Sequence, residues 1–341
     1  VSLFYLVGLF DLWSGIRTIA ISSIFTYCAA KYISGPFMPW IVFVFVMGHL
    51  SINHLARQLV NDPGIVDVTG AQMILTIKLT SFAWNIADGR LPKKGLTDLQ
   101  RQKALWEMPN LLEYAGYVMF FPSLFAGPAF DYVDYKRWIN MTMFEIPGPE
   151  GIKSTVQSHS KKKNKIPRNF IPAASKALSG IFWIALFSKL STFYYTDFLL
   201  GHKYATYGFL RRVWILHMLG FTSRLKYYGV WALTEASCIL CGLGYNGLDA
   251  ATGKILWNGL CHVDPMRVET AQNTRAYLGS WNINTNNWLR NYIYLRVTPL
   301  GKKPGFRASM VTFVTSAFWH GFYPGYYLSF VLASFMQTVA K

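Results

Sequence analysis

The chain has 341 residues, 52% of them hydrophobic and 17% aromatic, yet only 14% charged, against roughly 25% in an ordinary soluble domain. Lys and Arg number 33 against 16 Asp and Glu, a formal net charge of +17. This hydrophobicity excludes a disordered tail, four cysteines are too few for a disulfide scaffold, and the polar content is too low for the solvated basic surface of a nucleic-acid module. What remains is an all-α, polytopic membrane protein with basic loops.

A membrane-spanning helix needs about 20 mostly apolar residues. In chain order the apolar stretches are Leu3 to Ala30, with Asp11 and Arg17; Tyr32 to Asn53, without charge; Ala71 to Ala87, with Lys78; and Tyr114 to Phe130, without charge. They continue with Lys176 to Leu200, carrying Lys189 and Asp197; Tyr204 to Ser223, carrying Arg211 and Arg212; and Lys226 to Tyr245, carrying Glu235. Ala308 to Ala340 is free of charge and too long for one span, so Pro324-Gly325 is expected to break it. The pattern predicts about eight to nine membrane segments, with the embedded charges facing a bundle interior. Residues 1–341 read as one membrane domain. Val1 is not an initiator methionine and both ends fall in apolar runs, so the chain is expected to be a piece of a longer protein.

The positive charge clusters in Arg90 to Lys103, Lys153 to Arg168 and Leu300 to Arg307. Short basic loops tend to stay on the cytosolic side. Only Asn110 to Phe130 separates the first two clusters, which conflicts with simple up-and-down crossing. Either that segment is re-entrant, helped by Pro122, Gly127 and Pro128, or one neighbouring segment does not cross; the first is the favoured expectation. Residues 146–172, rich in Pro, Ser and Lys, are expected to form a flexible basic loop near lipid headgroups.

Several familiar chemistries are missing. None of the seven histidines (His49, His54, His159, His202, His217, His262 and His320) is followed five positions later by Asp, as a His-x4-Asp acyltransferase requires. There is no Gly-x-Ser-x-Gly elbow, Walker loop, His-Glu-x-x-His or Asp-His-His-Cys. Cys238-Ile239-Leu240-Cys241 lies in an apolar stretch without a second ligand pair, and Cys261-His262 does not complete one, so no metal site is expected. His49 and His54 would diverge by about 140° on a helix.

Two C-terminal segments carry polar groups that an inert bundle would not need. Between Ser280 and Val297, Trp281, Trp288, Tyr292 and Leu295 recur at helical spacing while Asn282 and Asn286 share another face, which predicts an interfacial amphipathic helix. In Phe318-Trp319-His320-Gly321, His320 follows the last charge, Arg307, by a helical rise of roughly 20 Å, which places it near the bilayer midplane. An ionisable group at that depth is a functional candidate, and desolvation favours the neutral imidazole that a general base requires.

Trp281-Asn282, then Trp288-Leu289-Arg290, then Ser316-Ala317-Phe318-Trp319-His320-Gly321 resembles the signature of the membrane-bound O-acyltransferase family, MBOAT. The continuation Phe322 to Phe330 and the upstream Phe121 to Pro128 resemble its lysophospholipid acyltransferase branch, fungal members of broad specificity above all. The resemblance covers essentially the whole chain and implies an MBOAT-type helical bundle with interfacial helices and a central tunnel. It implies His320 as the active-site base and Asn282 as its orienting or oxyanion partner. It further implies acyl-CoA as co-substrate with no tightly bound cofactor, a lysophospholipid acceptor, and residence in the endoplasmic reticulum membrane. Family members carry sequence before and after the part present here. Arg290, Arg296, Lys302, Lys303 and Arg307 become candidates for the CoA phosphates, and Trp281, Asn286, Trp288 and Trp319 for shaping the tunnel. The competing readings are a sterol, diacylglycerol or protein acyltransferase, a transporter lined by Arg211, Arg212, Glu235 and His320, and a non-catalytic scaffold.

Overall fold

The computed structural model describes residues 1–62, 67–144, 165–299 and 301–339. Among these residues there are no β-strands, only an isolated bridge between Leu248 and Ile255. After an initial π-helical stretch (Phe4–Leu9) the α-helices are α1 (Trp13–Tyr32), α2 (Met38–Val60), α3 (Thr69–Gly89), α4 (Asp98–Lys103), α5 (Leu111–Val118), α6 (Tyr132–Ile139), α7 (Phe170–Leu190), α8 (Asp197–Leu200) and α9 (His202–Ala205). There follow α10 (Phe209–Leu240), α11 (Pro265–Glu269), α12 (Thr274–Ser280), α13 (Ile283–Leu289), α14 (Phe306–His320) and α15 (Pro324–Val339).

Local signals set several boundaries. Pro39 stands in the first turn of α2, and left-handed Asn61 closes that helix. Thr97 and Gln100 form a reciprocal capping box at the start of α4. Asn110 and Asn273 cap α5 and α12 by accepting from the N–H of Glu113 and Ala276.

Among the described residues two helices, α2 and α7, are long and apolar enough to cross a membrane. The expected eight to nine segments are therefore not reproduced as separate apolar spans, and the differences have physical reasons. The stretches 204–223 and 226–245 merge into the single helix α10, whose 32 residues rise roughly 48 Å. Arg224 and Lys226 interrupt the hydropathy there without interrupting the helix. The run 308–340 divides between α14 and α15, and its break spans Gly321 to Tyr323, just before Pro324. Helix α5 has eight residues and rises roughly 12 Å, too little to cross, and the chain then turns at Phe121–Ser123. Most of the expected flexible loop, 145–164, lies outside the described residues.

Helix α7 is apolar almost all round, yet only Ala173 and Gly180 are buried. A helix of that kind needs lipid against its outer surface, because in water its Leu178, Ile181 and Phe182 would form an exposed apolar patch. Its inner side packs closely on α10. A Cβ on Gly229 would fall 2.4 Å from Ile184 Cγ1 and 3.1 Å from the Gly180 carbonyl oxygen, so the crossing depends on small residues.

The main apolar core joins α1, α2 and α3 to α5, α6 and the turn 119–131 through Leu79, Phe82, Tyr114, Tyr117 and Phe130. A second cluster fastens the C-terminal third to this bundle: Met47, Leu50, Ile74 and Ile77 meet Trp288, Tyr292 and Trp319. A third seats Val263, Val268 and Trp281 on α10. Arg224 donates to both carboxylate oxygens of Glu269, at 2.8 and 2.6 Å, and Tyr228 donates to Oε1 at 2.6 Å, which pins α11 to α10. The segment carrying Asn282 is therefore held on one side by α10, and the helix carrying His320 is held on the other by α2 and α3.

Candidate active site

The sequence predicts one helix through Ser280–Val297, and the structure corrects this. Helix α12 ends at Ser280, Trp281 is extended, and Asn282 is left-handed (φ 44°, ψ 54°) before α13 starts at Ile283. Asn is among the few residues that accept this conformation readily. The segment 262–264 requires the break: Asp264 donates its N–H to the Ser280 carbonyl at 3.0 Å, and Ile283 donates to the His262 carbonyl at 2.8 Å. A second irregularity follows. Residues Arg290–Tyr294 form a π-turn, which rotates the helix relative to an α-helical register. Arg290 stays on the cavity side, while Tyr292 and Arg296 turn toward α3.

A cavity of about 680 Å³ lies among α12, α13, α14 and α15, within the size range of small-molecule sites. Asn282 and His320, 38 positions apart in sequence, both line it. So do Trp281, Asn286, Arg290 and Arg275. Arg275 carried no signal in the sequence beyond its charge. No hydrogen bond or ion pair engages Arg275 or Arg290 among the described residues, so both guanidinium groups are free to meet an anion.

His320 is the last residue of α14 and is half-buried. Its Nδ1 donates to the Ser316 carbonyl at 2.6 Å, because a carbonyl oxygen can only accept. The proton is thereby fixed on Nδ1, and Nε2 carries the free lone pair. Phe330 and Tyr326 pack against the ring, with centroids at 4.9 and 5.5 Å. The turn after it is clamped from α2: His54 donates from Nε2 to the Trp319 carbonyl at 3.0 Å, satisfying an acceptor at the helix end. Gly321 has φ +122°, and a Cβ there would approach His54 Nδ1 to 3.1 Å.

Asn282 pairs through Oδ1 with Nε2 of His262 at 3.1 Å. His262 is buried, stacks on Trp231 (centroids 4.5 Å apart, planes at 17°), and its N–H points to Glu235 Oε2 at 3.4 Å. Glu235 in turn pairs with Lys176 at 3.0 Å. No sequence pattern points to this neighbour: His262 is 20 positions from Asn282 and reaches it only through the α10–α11 connection.

Other expected site residues lie elsewhere. Trp288 and Trp319 are buried in the seam with α2 and α3, where their indole N–H groups donate to Thr80 Oγ1 at 2.9 Å and to the Met73 carbonyl at 3.0 Å. Such bonds contribute about 0.6–2 kcal/mol inside a membrane protein, so these tryptophans brace the wall behind the cavity rather than line it. Asn286 lines the cavity while donating to the Leu278 carbonyl at 3.0 Å. Lys302, Lys303 and Arg307 are exposed and do not line it. Nor do Arg211 and Arg212, which are exposed at the start of α10, Arg212 donating to the Ala205 and Tyr207 carbonyls.

Arg296 is committed to Asp88, Nη1 to Oδ1 at 2.8 Å and Nη2 to Oδ2 at 2.5 Å, and lies over the Trp84 ring at 4.3 Å. Replacing it would leave a buried carboxylate uncompensated. Arg296→Ala is therefore expected to destabilise the fold by about 3–5 kcal/mol. Thermal unfolding in detergent checks this. An unchanged melting temperature would show that the pair with Asp88 does not hold the fold.

An apolar helical bundle whose inner cavity brings together a histidine with an unpartnered ring nitrogen and an asparagine amide defines a class, a helical membrane protein with a polar site enclosed among its helices. Residues 62–341 match the model of MBOAT, the membrane-bound O-acyltransferase family, and the chain belongs to that family. Over its whole length it is 45% identical to the lysophospholipid acyltransferase of Saccharomyces cerevisiae and 42% identical to that of Schizosaccharomyces pombe, covering 56% and 65% of those proteins. It is 37% identical over 80% of its length to lysophospholipid acyltransferase 1 of Arabidopsis thaliana, covering 56% of that protein. The chain thus spans less than two thirds of each of these relatives.

Proposed function

We propose that the protein transfers a fatty acyl group from acyl-CoA to the free hydroxyl of a lysophospholipid, in the service of phospholipid synthesis and remodelling. The observation that carries this reading is the shared cavity wall of His320 and Asn282, with Nε2 of His320 unprotonated. The names of its relatives, lysophospholipid acyltransferases in two yeasts and a plant, support the acceptor.

The reaction needs no covalent enzyme intermediate, because the thioester is already activated. The acceptor hydroxyl attacks the thioester carbonyl carbon while Nε2 of His320 takes its proton. Negative charge gathers on the carbonyl oxygen, where the Asn282 amide stabilises it. The C–S bond then breaks, and the imidazolium returns the proton to the departing thiolate of CoA. Enclosure among apolar helices keeps out water, which would otherwise hydrolyse the thioester. Arg290, and with it Arg275, offers the planar donor geometry that suits the phosphates of CoA. The endoplasmic reticulum, where such lipids are assembled, is the proposed location.

The test is a matrix of acyl-CoAs against lysolipids, run on the complete protein in membranes that lack the endogenous activity. At least one oleoyl-CoA and lysophospholipid pair is expected to be turned over. Turnover restricted to a sterol, a diacylglycerol or a peptide would replace the acceptor, and solute flux without any acyl-CoA turnover would overturn the enzymatic reading.

A further inference from the structure

His262 enters none of the steps above, yet among the described residues it is the one side chain hydrogen-bonded to Asn282. Its ring is fully enclosed: Trp231 stacks on one face, and a Cβ on Gly127 would lie 2.7 Å from its Cε1. Backbone bonds fix the residue at both ends, the N–H toward Glu235 and the carbonyl accepting from Ile283, the residue after Asn282. The imidazole can therefore neither swing away nor exchange its partner for water.

The position of its proton follows. Nδ1 is buried and has no partner among the described residues. A buried N–H without an acceptor is rarer and more costly than a lone pair without a donor. The proton accordingly resides on Nε2, and Nε2 faces Asn282 Oδ1 at 3.1 Å. The amide of Asn282 is thereby held in one orientation. Its oxygen is occupied by His262, and its NH2 group, which has no partner among the described residues, is left to the cavity that His320 also lines. A free asparagine would present oxygen or nitrogen to a substrate with similar ease. A site that must stabilise a developing oxyanion needs the nitrogen.

We infer that His262 is a positioning residue for the acyl-transfer reaction: its Nε2–H locks Asn282 Oδ1, so that Asn282 can act only as a hydrogen-bond donor toward the acyl carbonyl. The inference rests on the acyltransferase reading and deepens it by assigning the amide its polarity.

The experiment uses the complete protein in membranes, with kcat and KM measured for oleoyl-CoA and a lysophospholipid. His262→Leu and His262→Phe remove the N–H, and phenylalanine retains a ring against Trp231. His262→Gln restores an N–H donor. Each of the first two is expected to lower kcat about 10- to 100-fold while both KM values move less than about threefold, and glutamine is expected to recover the rate to within about fivefold of wild type. In an Asn282→Gly background, the Leu or Phe replacement is expected to cost less than about twofold further, because the group it positions is gone. Either variant that accumulates to normal levels suffices for that comparison. Equal losses in the Gln, Leu and Phe variants, or an undiminished loss in the Asn282→Gly background, would assign His262 to packing and overturn the inference. A wild-type protein that turns over no acyl-CoA and lysolipid pair would instead overturn the function proposed above, so the two failures are distinguishable.

Discussion

His320→Ala is expected to reduce acyl transfer by about 10²- to 10⁴-fold, the range that a positioned general base contributes. The loss should fall on kcat, because the ring bears a lone pair that acts only as the acceptor hydroxyl loses its proton. Protein level should stay near normal: His320 is half-buried, and its ring contacts Phe330 and Tyr326 at the edge of a cavity rather than within the core. The fixed tautomer sharpens the expectation. Nδ1 is committed to the Ser316 carbonyl one turn back, so the whole effect must pass through Nε2. His320→Gln keeps a side chain of similar reach but supplies no base, and it should be as inactive as alanine. Oleoyl incorporation into a lysophospholipid in membranes lacking the endogenous activity, normalised to protein level, provides the measurement. A near-normal rate in either variant would exclude His320 as the base.

What could be read from the sequence depended on whether the signal was local. Trp281-Asn282 and Trp319-His320-Gly321 are short local patterns, and the structure places Asn282 and His320 on one cavity. The all-helical fold followed from apolar runs, which report burial in any orientation. The assignment of faces did not follow, because it assumed an unbroken 3.6-residue period. The left-handed Asn282 and the π-turn at Arg290–Tyr294 each shift the register, so Trp288 falls against Thr80 and Arg296 falls against Asp88 instead of the cavity. Counting crossings by hydropathy failed at α10, where Arg224 finds Glu269 across the fold and a charge therefore sits in mid-helix without ending it. His262 was out of reach for a related reason. Its meaning lies in one contact with a residue 20 positions away, and no periodicity encodes that.

Asn282→Gly is expected to lower turnover by about 10²- to 10³-fold, comparable to the loss of a single oxyanion donor. Glycine is the informative replacement because Asn282 performs two tasks at once. Its backbone is left-handed, which lets α12 hand over to α13 within two residues, and its side chain faces the cavity. Alanine would disturb both, since a left-handed alanine costs about 1–2 kcal/mol. Glycine accepts φ 44° without penalty and removes only the amide, so its melting temperature should be at least that of the alanine variant. Asn282→Asp completes the set. Aspartate tolerates the same backbone and still accepts from His262, but it presents a negative oxygen where the amide nitrogen stood, which repels a developing oxyanion. It should therefore be no more active than glycine. Full activity in the glycine variant would show that the kink, and not the amide, is what the reaction requires at this position; an active aspartate variant would show that the side chain orients its substrate by accepting a hydrogen bond rather than by donating one.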